Sequence, residues 1–335
     1  GGTLAYLCGH SLGLAPLEAR ARVLEEIEDW EALGVEGHER GRRPWIGYAE
    51  ALRPLLAPLA GAAPEEVVAM NSLSVNLHLL LASFYRPRGA RRRILIEAGA
   101  FPSDRHLVES QLRWHGLDPA DALVELAPRE GAELIEPDDV LARIHGLGES
   151  LALVLWPGVQ YRTGQAFELA PIVRAAHATG AMAGFDLAHA IGNLPLSLHD
   201  SGADFAAWCS YKYLNGGPGA IGGAFVHARH AQSPTLPRLA GWWGSDPATR
   251  FAMSGRFELT PGAAGWQVSN PPILSAAPLH ASLRLFEAAG IGRLRAKSLS
   301  LTGFLRACLE AQCGAAATII TPPGEAGGCQ LSVRL

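Results

Sequence analysis

Short apolar runs, each stopped by glycine or proline and followed by a longer amphipathic stretch, recur along this chain of 335 residues. That alternation commits it to α/β architecture, because strands buried on both faces must be covered by the helices that connect them. "RRRILIEAG" ends in such a run, and "LALVLWPG", "AMAGFDLAH" and "ADFAAWCSYK" supply three more. Between them, "PIVRAAHATG" reads as a helix closed by Gly180. Residues 17–33, "LEARARVLEEIEDWEAL", predict a helix with Leu17, Val23, Leu24, Ile27 and Trp30 near one face, and residues 74–84, "SVNLHLLLASF", a largely buried helix starting at a polar cap. Residues 280–312 read as two helical segments broken at Gly290 and Gly292. The length exceeds that of a usual single core. The expected organisation is an N-terminal segment and helix over 1–40, a large domain with a mainly parallel central sheet over 41–280, and the start of a smaller C-terminal α/β domain over 281–335.

Several function classes drop out on composition. A net charge of −4 gives no field for nucleic acid or an anionic membrane. No run of 18 apolar residues occurs and the start lacks the basic-then-apolar pattern of a signal peptide, so neither membrane attachment nor export is expected. The cysteines, 8, 209, 308, 313 and 329, are odd in number and contain no C-x-x-C pair. A reducing cytoplasm fits that pattern better than a disulfide framework or a zinc knuckle.

The basic residues are distributed unevenly by type. Of 28, only Lys212 and Lys297 are lysines. Arginine cannot lose its proton in a protein, whereas a lysine amine can, and can then attack a carbonyl. Lys212 lies in "CSYKYLNGGPG" (209–219), just after an apolar run. In an α/β sheet ligands gather where strands end, and the other strand ends also carry chemistry. "AFPSD" brings Phe101, Ser103 and Asp104, "VQYRTGQ" follows the second run, and "AMAGFD" ends on Asp186 with His189 three residues on. Taken singly, each has a bland reading: Asp186 as a turn residue, His189 as a satisfied buried histidine, Phe101 as core. Asp186, His189 and a cysteine lack any recognisable metal-ligand spacing, so no metal is expected.

Together these residues fit pyridoxal 5'-phosphate. It needs a lysine for its aldehyde, a carboxylate to keep the pyridine nitrogen protonated, an aromatic face and a dipole-rich phosphate cradle. Lys212, Asp186 and Phe101 meet the first three needs. "NSLSVN" (71–76) at a helix N-terminus meets the fourth.

Nearly the whole chain resembles the kynureninases of the fold type I, aminotransferase class V superfamily. The likeness runs through "GHSLGL" (9–14), "GHERGRRPW" (37–45), "NSLSVNLHLLL" (71–81), "AFPSDRH" (100–106), "GVQYRTGQ" (158–165), "GFDLAHAIGN" (184–193), "CSYKYLNGGPG", "GWWG" (241–244) and "SNPPIL" (269–274). The resemblance implies an aspartate-aminotransferase-like large domain that binds pyridoxal phosphate, and a homodimer whose cofactor site draws on both copies. Leu73 and Ser74 would hold the phosphate end, completed by Tyr211, Trp242 and Asn270. Phe101 and Asp104 would lie against the ring, Asp186 would pair with its nitrogen, His189 would support its edge, and Lys212 would form the Schiff base. Ser11, His38, Trp243 and Asn270 would face the substrate. The implied reaction is hydrolysis of the Cβ–Cγ bond of L-kynurenine or its 3-hydroxy form, giving anthranilate or 3-hydroxyanthranilate and L-alanine, with Lys212, Tyr211 and Asp186 catalytic. That places the chain in tryptophan catabolism by the kynurenine pathway, which also feeds NAD biosynthesis.

Two departures from the family pattern stand out. Family members run on past "GCQLSVRL" into more of the small domain, with an arginine that grips the substrate carboxylate; Arg334 does not match its place, so the small domain is expected to be incomplete here. Cys8 and His10 stand where such sites often have Asp and Asn. Other readings stay open: a cysteine desulfurase, for which Cys313 and Cys329 are the candidate nucleophiles, a class V aminotransferase, or a non-catalytic protein keeping the fold. An acyl hydrolase using Ser11 or Ser103 is disfavoured because no G-x-S-x-G turn occurs.

Overall fold

β-Branched and leucine-rich runs that hide both faces in a core build the central sheet of the computed structural model, which describes residues 5–335 except 232, 234 and 235. The strands are β1 (Val67–Ala69), β2 (Arg93–Glu97), β3 (Leu123–Leu126), β4 (Leu151–Pro157), β5 (Met182–Asp186), β6 (Phe205–Trp208) and β7 (Gly223–Val226). They lie in the order β1-β7-β6-β5-β4-β2-β3. Neighbours from β3 through β6 are parallel; β7 alone runs against both of its neighbours. The carboxyl ends of β2, β4, β5 and β6 therefore open on the same edge.

One apolar layer joins the sheet to the helix Tyr48–Ala60 and to the helix Leu169–Thr179; the other joins it to the helices Leu73–Phe84 and Pro102–Trp114. Trp156 and Trp208, fully buried, fill the first layer, and Phe84 and Phe205 stack in the second with ring centroids 4.9 Å apart. The helix Leu169–Thr179 ends where expected: Gly180 takes a left-handed φ of 80°, and its N–H returns to the carbonyls of Ala176 and His177. Toward the C-terminus a long helix, Ile291–Cys313, precedes a two-stranded antiparallel sheet of β8 (Thr318–Ile319) and β9 (Val333–Arg334). The helices Ile273–Ala289 and Ile291–Cys313 break once, at Gly290; Gly292, expected to break the chain as well, lies inside the second helix.

The first helix corrects the periodicity argument. It spans Ala19–Leu33, but the face it buries holds Glu26 and Asp29, while Leu24 and Trp30 are exposed and Leu17, before its start, is fully so. The cause is the arginine run of "HERGRRPW". Glu26 accepts hydrogen bonds from Arg43 Nε (2.6 Å), Trp45 Nε1 (2.9 Å) and the Tyr48 hydroxyl (3.2 Å). Arg42 donates its N–H to Asp29 at 2.7 Å. Paired and saturated in this way, acids can face inward in place of leucines.

Candidate active site

The aligned strand ends form a cleft of about 200 Å³, lined by Leu73, Ser74, Phe101, Asp104, Asp186, His189, Tyr211 and Lys212 among others. Eight sequence-expected residues from four separate segments thus share one concavity. Lys212 Nζ lies 3.0 Å from His189 Nε2 and 5.6 Å from the centre of the Phe101 ring. The segment "GHSLGL" packs behind it: Gly13 donates its N–H to Tyr211 O at 2.8 Å, and a Cβ on Gly13 would stand 2.3 Å from Lys212 O, so glycine is required for this approach.

The electrostatics divide the cleft. Burial, with the nearby charges of Lys212 and His10, pushes the His189 imidazole down to about 3, so the ring is neutral near pH 7. Burial and the adjacent Cys209 thiol push the Tyr211 phenol up to about 12, so it keeps its proton and can donate it. Asp186 Oδ1 accepts the N–H of Ala188 at 2.7 Å. Asp104, 8% exposed, shares a hydrogen bond with Asp186; burial first, and then that neighbouring charge, hold its carboxyl well above the ordinary aspartate range. Asp104 therefore keeps its proton beside Asp186.

At the other end of the cleft the helix Leu73–Phe84 points its N-terminus inward. No side chain caps its first turn, and Leu73 and Ser74 line the cavity, which leaves N–H groups and the positive end of the helix dipole for an anion. The preceding turn is fixed by Asn71, held at a φ of 44° with its amide donating to Asn76 Oδ1 at 3.0 Å. These features fit pyridoxal phosphate: an anion seat, a stacking ring, a carboxylate pair for a cationic nitrogen and a primary amine.

Five expected residues do not line this cleft in the single chain. Ser11, His38 and Asn270 are exposed, and Trp242 is 48% exposed. Trp243 is buried, with the Arg250 guanidinium 4.3 Å above its ring. Three residues not named individually from the sequence also line it: Glu97 at the end of β2, Ser72 of "NSLSVN", and Tyr161 of "VQYRTGQ", whose ring meets Phe101 edge-on at 5.2 Å. The candidate desulfurase nucleophile Cys329 is fixed, its N–H donating to Asn193 Oδ1 at 3.0 Å and its thiol beside Tyr213. A Glu66, His199 and His227 group with metal-ligand reach lies outside the cleft. Its carboxylate is already saturated by the N–H groups of Ala63 and Ala228 and by His199. Among the described residues no helix is long and apolar enough to cross a membrane.

The family model for class-V aminotransferases matches residues 14–322. A kynureninase of Xanthomonas campestris pv. campestris (strain B100) is 59% identical over 331 residues, covering 98% of this chain and 78% of the relative. One from Stenotrophomonas maltophilia (strain K279a) is 57% identical over 336 residues, covering 100% of this chain and 79% of the relative. Among solved structures, an apo cysteine desulfurase from Thermococcus onnurineus NA1 superposes with a TM-score of 0.75 at 20% identity, over 99% of this chain and 79% of that one. A C-DES mutant with glycine covalently linked to its PLP cofactor gives 0.79 at 17% identity, over 96% of this chain and 80% of that one. The desulfurase likeness is one of fold, whereas the match to the Xanthomonas kynureninase is 59% identical over 98% of the chain: the chain belongs to the kynureninase family of class-V aminotransferases.

Proposed function

We propose that this chain is a pyridoxal-phosphate-dependent hydrolase that cleaves the Cβ–Cγ bond of L-kynurenine, or of its 3-hydroxy form, to release L-alanine and the aryl acid. The observation that carries this is the pairing, in one cleft, of the Lys212 amine with the Asp104–Asp186 carboxyl pair, in a chain 59% identical to a kynureninase. Pyridoxal phosphate, when bound, supplies an aldehyde that takes up an amino group and a protonated ring that accepts the electrons released at Cα.

Everything else falls to the chain. Lys212 holds the aldehyde and then moves the Cα proton; no arginine could do either. Asp186 keeps the ring nitrogen protonated, and Asp104, donating to it, fixes its orientation. Phe101 covers one face of the ring, and neutral His189 supports its edge without adding charge near the amine. Leu73 and Ser74 seat the phosphate on the helix N-terminus. Tyr211, still protonated at neutral pH, is placed beside Lys212 to pass a proton as water adds to the aryl ketone and the carbon–carbon bond breaks.

Trp242 and Asn270 stand outside the cleft of their own chain, so their contribution to the phosphate end requires a second copy, and we read the working unit as a homodimer. Ser11, His38, Trp243 and Asn270 are assigned to the substrate side on the same basis. The division into a segment over 1–40, a large domain over 41–280 and a smaller one from 281 is part of this reading.

Purified protein incubated with pyridoxal phosphate is expected to turn yellow and to release fluorescent anthranilate from L-kynurenine. Parallel incubations with L-cysteine, assayed for sulfide, and with an amino and keto acid pair should give no product. Sulfide or transamination in place of anthranilate would overturn the assignment.

A further inference from the structure

β2 ends on Glu97, which is 3% exposed, lines the cleft and has Leu126 of β3 beside it. Its Oε1 receives one long hydrogen bond, 3.5 Å, from Gln160 Nε2. Its Oε2 is buried and bonded to no protein atom. Gln160 is itself oriented: Oε1 accepts the N–H groups of Arg162 and Thr163 at 2.6 and 2.8 Å, so the amide nitrogen is the end turned to Glu97. The charged groups facing Glu97 are Asp186 at the end of β5, Asp104 on the helix Pro102–Trp114, and the Arg162 guanidinium, whose side chain is 67% exposed. Three carboxyl groups therefore converge on one cleft, and among the described residues no guanidinium or ammonium is hydrogen-bonded to any of them.

Three such groups in a low-dielectric pocket cannot all ionise. Asp104 keeps its proton beside Asp186, whose Oδ1 accepts the Ala188 N–H. We propose that Glu97 is a positioning residue for the cofactor: a neutral carboxylic acid behind that pair, which leaves Asp186 as the single anion offered to the ring nitrogen. The inference rests on the cleft being a pyridoxal-phosphate site. A charged Glu97 would put a second anion into a cavity that must also admit a phosphate, whereas a neutral one adds a donor and no repulsion.

The consequence is a pH signature. Burial, reinforced by Asp186 and opposed by the Gln160 hydrogen bond, pushes the Glu97 carboxyl up to about 8. Above that pH the cofactor-free protein loses a proton that binding must restore, so affinity falls by up to about tenfold per pH unit, an effect that removing the carboxyl abolishes. The test is the dissociation constant of pyridoxal phosphate, read from tryptophan fluorescence quenching at pH 7 and pH 9, in wild type, Glu97→Gln and Glu97→Met. Other titrating groups affect all three proteins alike. Wild type should lose about tenfold more affinity over this range than either variant. Equal losses in all three, or a smaller loss in wild type, overturn the assignment. Wild-type protein that takes up no cofactor at pH 7 overturns the reading of the cleft itself, and this inference with it.

Discussion

Asp204 and the Glu97–Asp104 pair are carboxyl groups buried to a similar depth, and the molecule treats them in opposite ways. Asp204, at the entrance to β6, accepts hydrogen bonds from His177 Nε2 at 2.9 Å, His230 Nε2 at 2.8 Å, the Ala183 N–H at 2.7 Å and the Arg229 guanidinium. Burial alone would raise it, but the partners win and hold it well below the usual carboxylate range. Among the described residues no cation is hydrogen-bonded to Glu97 or Asp104, and burial drives both upward. A buried anion that is fully paired ties elements together and is finished. A buried carboxyl cluster lacking a cation is stable only while it keeps its protons, and it suits a cationic ligand. The same comparison covers Glu26, closed by Arg43 in the N-terminal helix.

The largest effect expected from breaking this division lies in the open region. Lys212→Arg keeps a cation but removes the amine that, among the described residues, alone lines the cleft, and anthranilate formation should fall by at least ~10³-fold. A loss below tenfold would remove Lys212 from its role. Next in size is complementation between copies. Lys212→Arg and Asn270→Ala proteins, each inactive alone, should recover roughly a quarter of wild-type activity when mixed and refolded together, since a two-fold dimer then contains some intact sites. No recovery would place Asn270 with its own chain's cleft or outside the site.

In the closed region, Asp204→Asn should lower stability by about 2–3 kcal/mol in urea melts. That is below the value for a fully buried pair because Arg229 and His177 reach water. Asp104→Asn replaces a carboxyl that is already protonated and should change cofactor-free stability by less than about 1 kcal/mol. Equal losses for the two would erase the contrast.

The two regions also separate by pH. Asp204 is depressed on folding, so its contribution is complete above the unfolded aspartate range near pH 4 and is lost as pH falls further. Glu97 is raised, so the unfolded chain releases a proton that the folded chain keeps. Cofactor-free stability should therefore decline between about pH 4.3 and 8, by up to about 1.4 kcal/mol per unit. Glu97→Gln should flatten part of that decline, and an unchanged slope would mean that Glu97 is already ionised.

Much of the cleft was legible in the sequence because the polar residues that build it sit where apolar runs end, and in a parallel sheet those ends converge. Lys212 stood out further because arginine replaces lysine almost everywhere else. Glu97 sits at such an end too, yet a lone glutamate after "RILI" carries no motif; its importance comes from the absence of a partner, which only packing reveals. The N-terminal helix was misread for a related reason. Its apolar stripe suggested the buried face, but Arg42, Arg43 and Trp45 satisfy Glu26 and Asp29 so fully that the acids turn inward and Trp30 turns out. Periodicity records which residues are apolar and is silent about acids whose partners lie more than ten positions away.

The chain's having only two lysines makes one experiment decisive. Protein loaded with pyridoxal phosphate, reduced with borohydride and digested should yield a single phosphopyridoxyl peptide, containing Lys212. Label on Lys297, or on neither, would contradict the account.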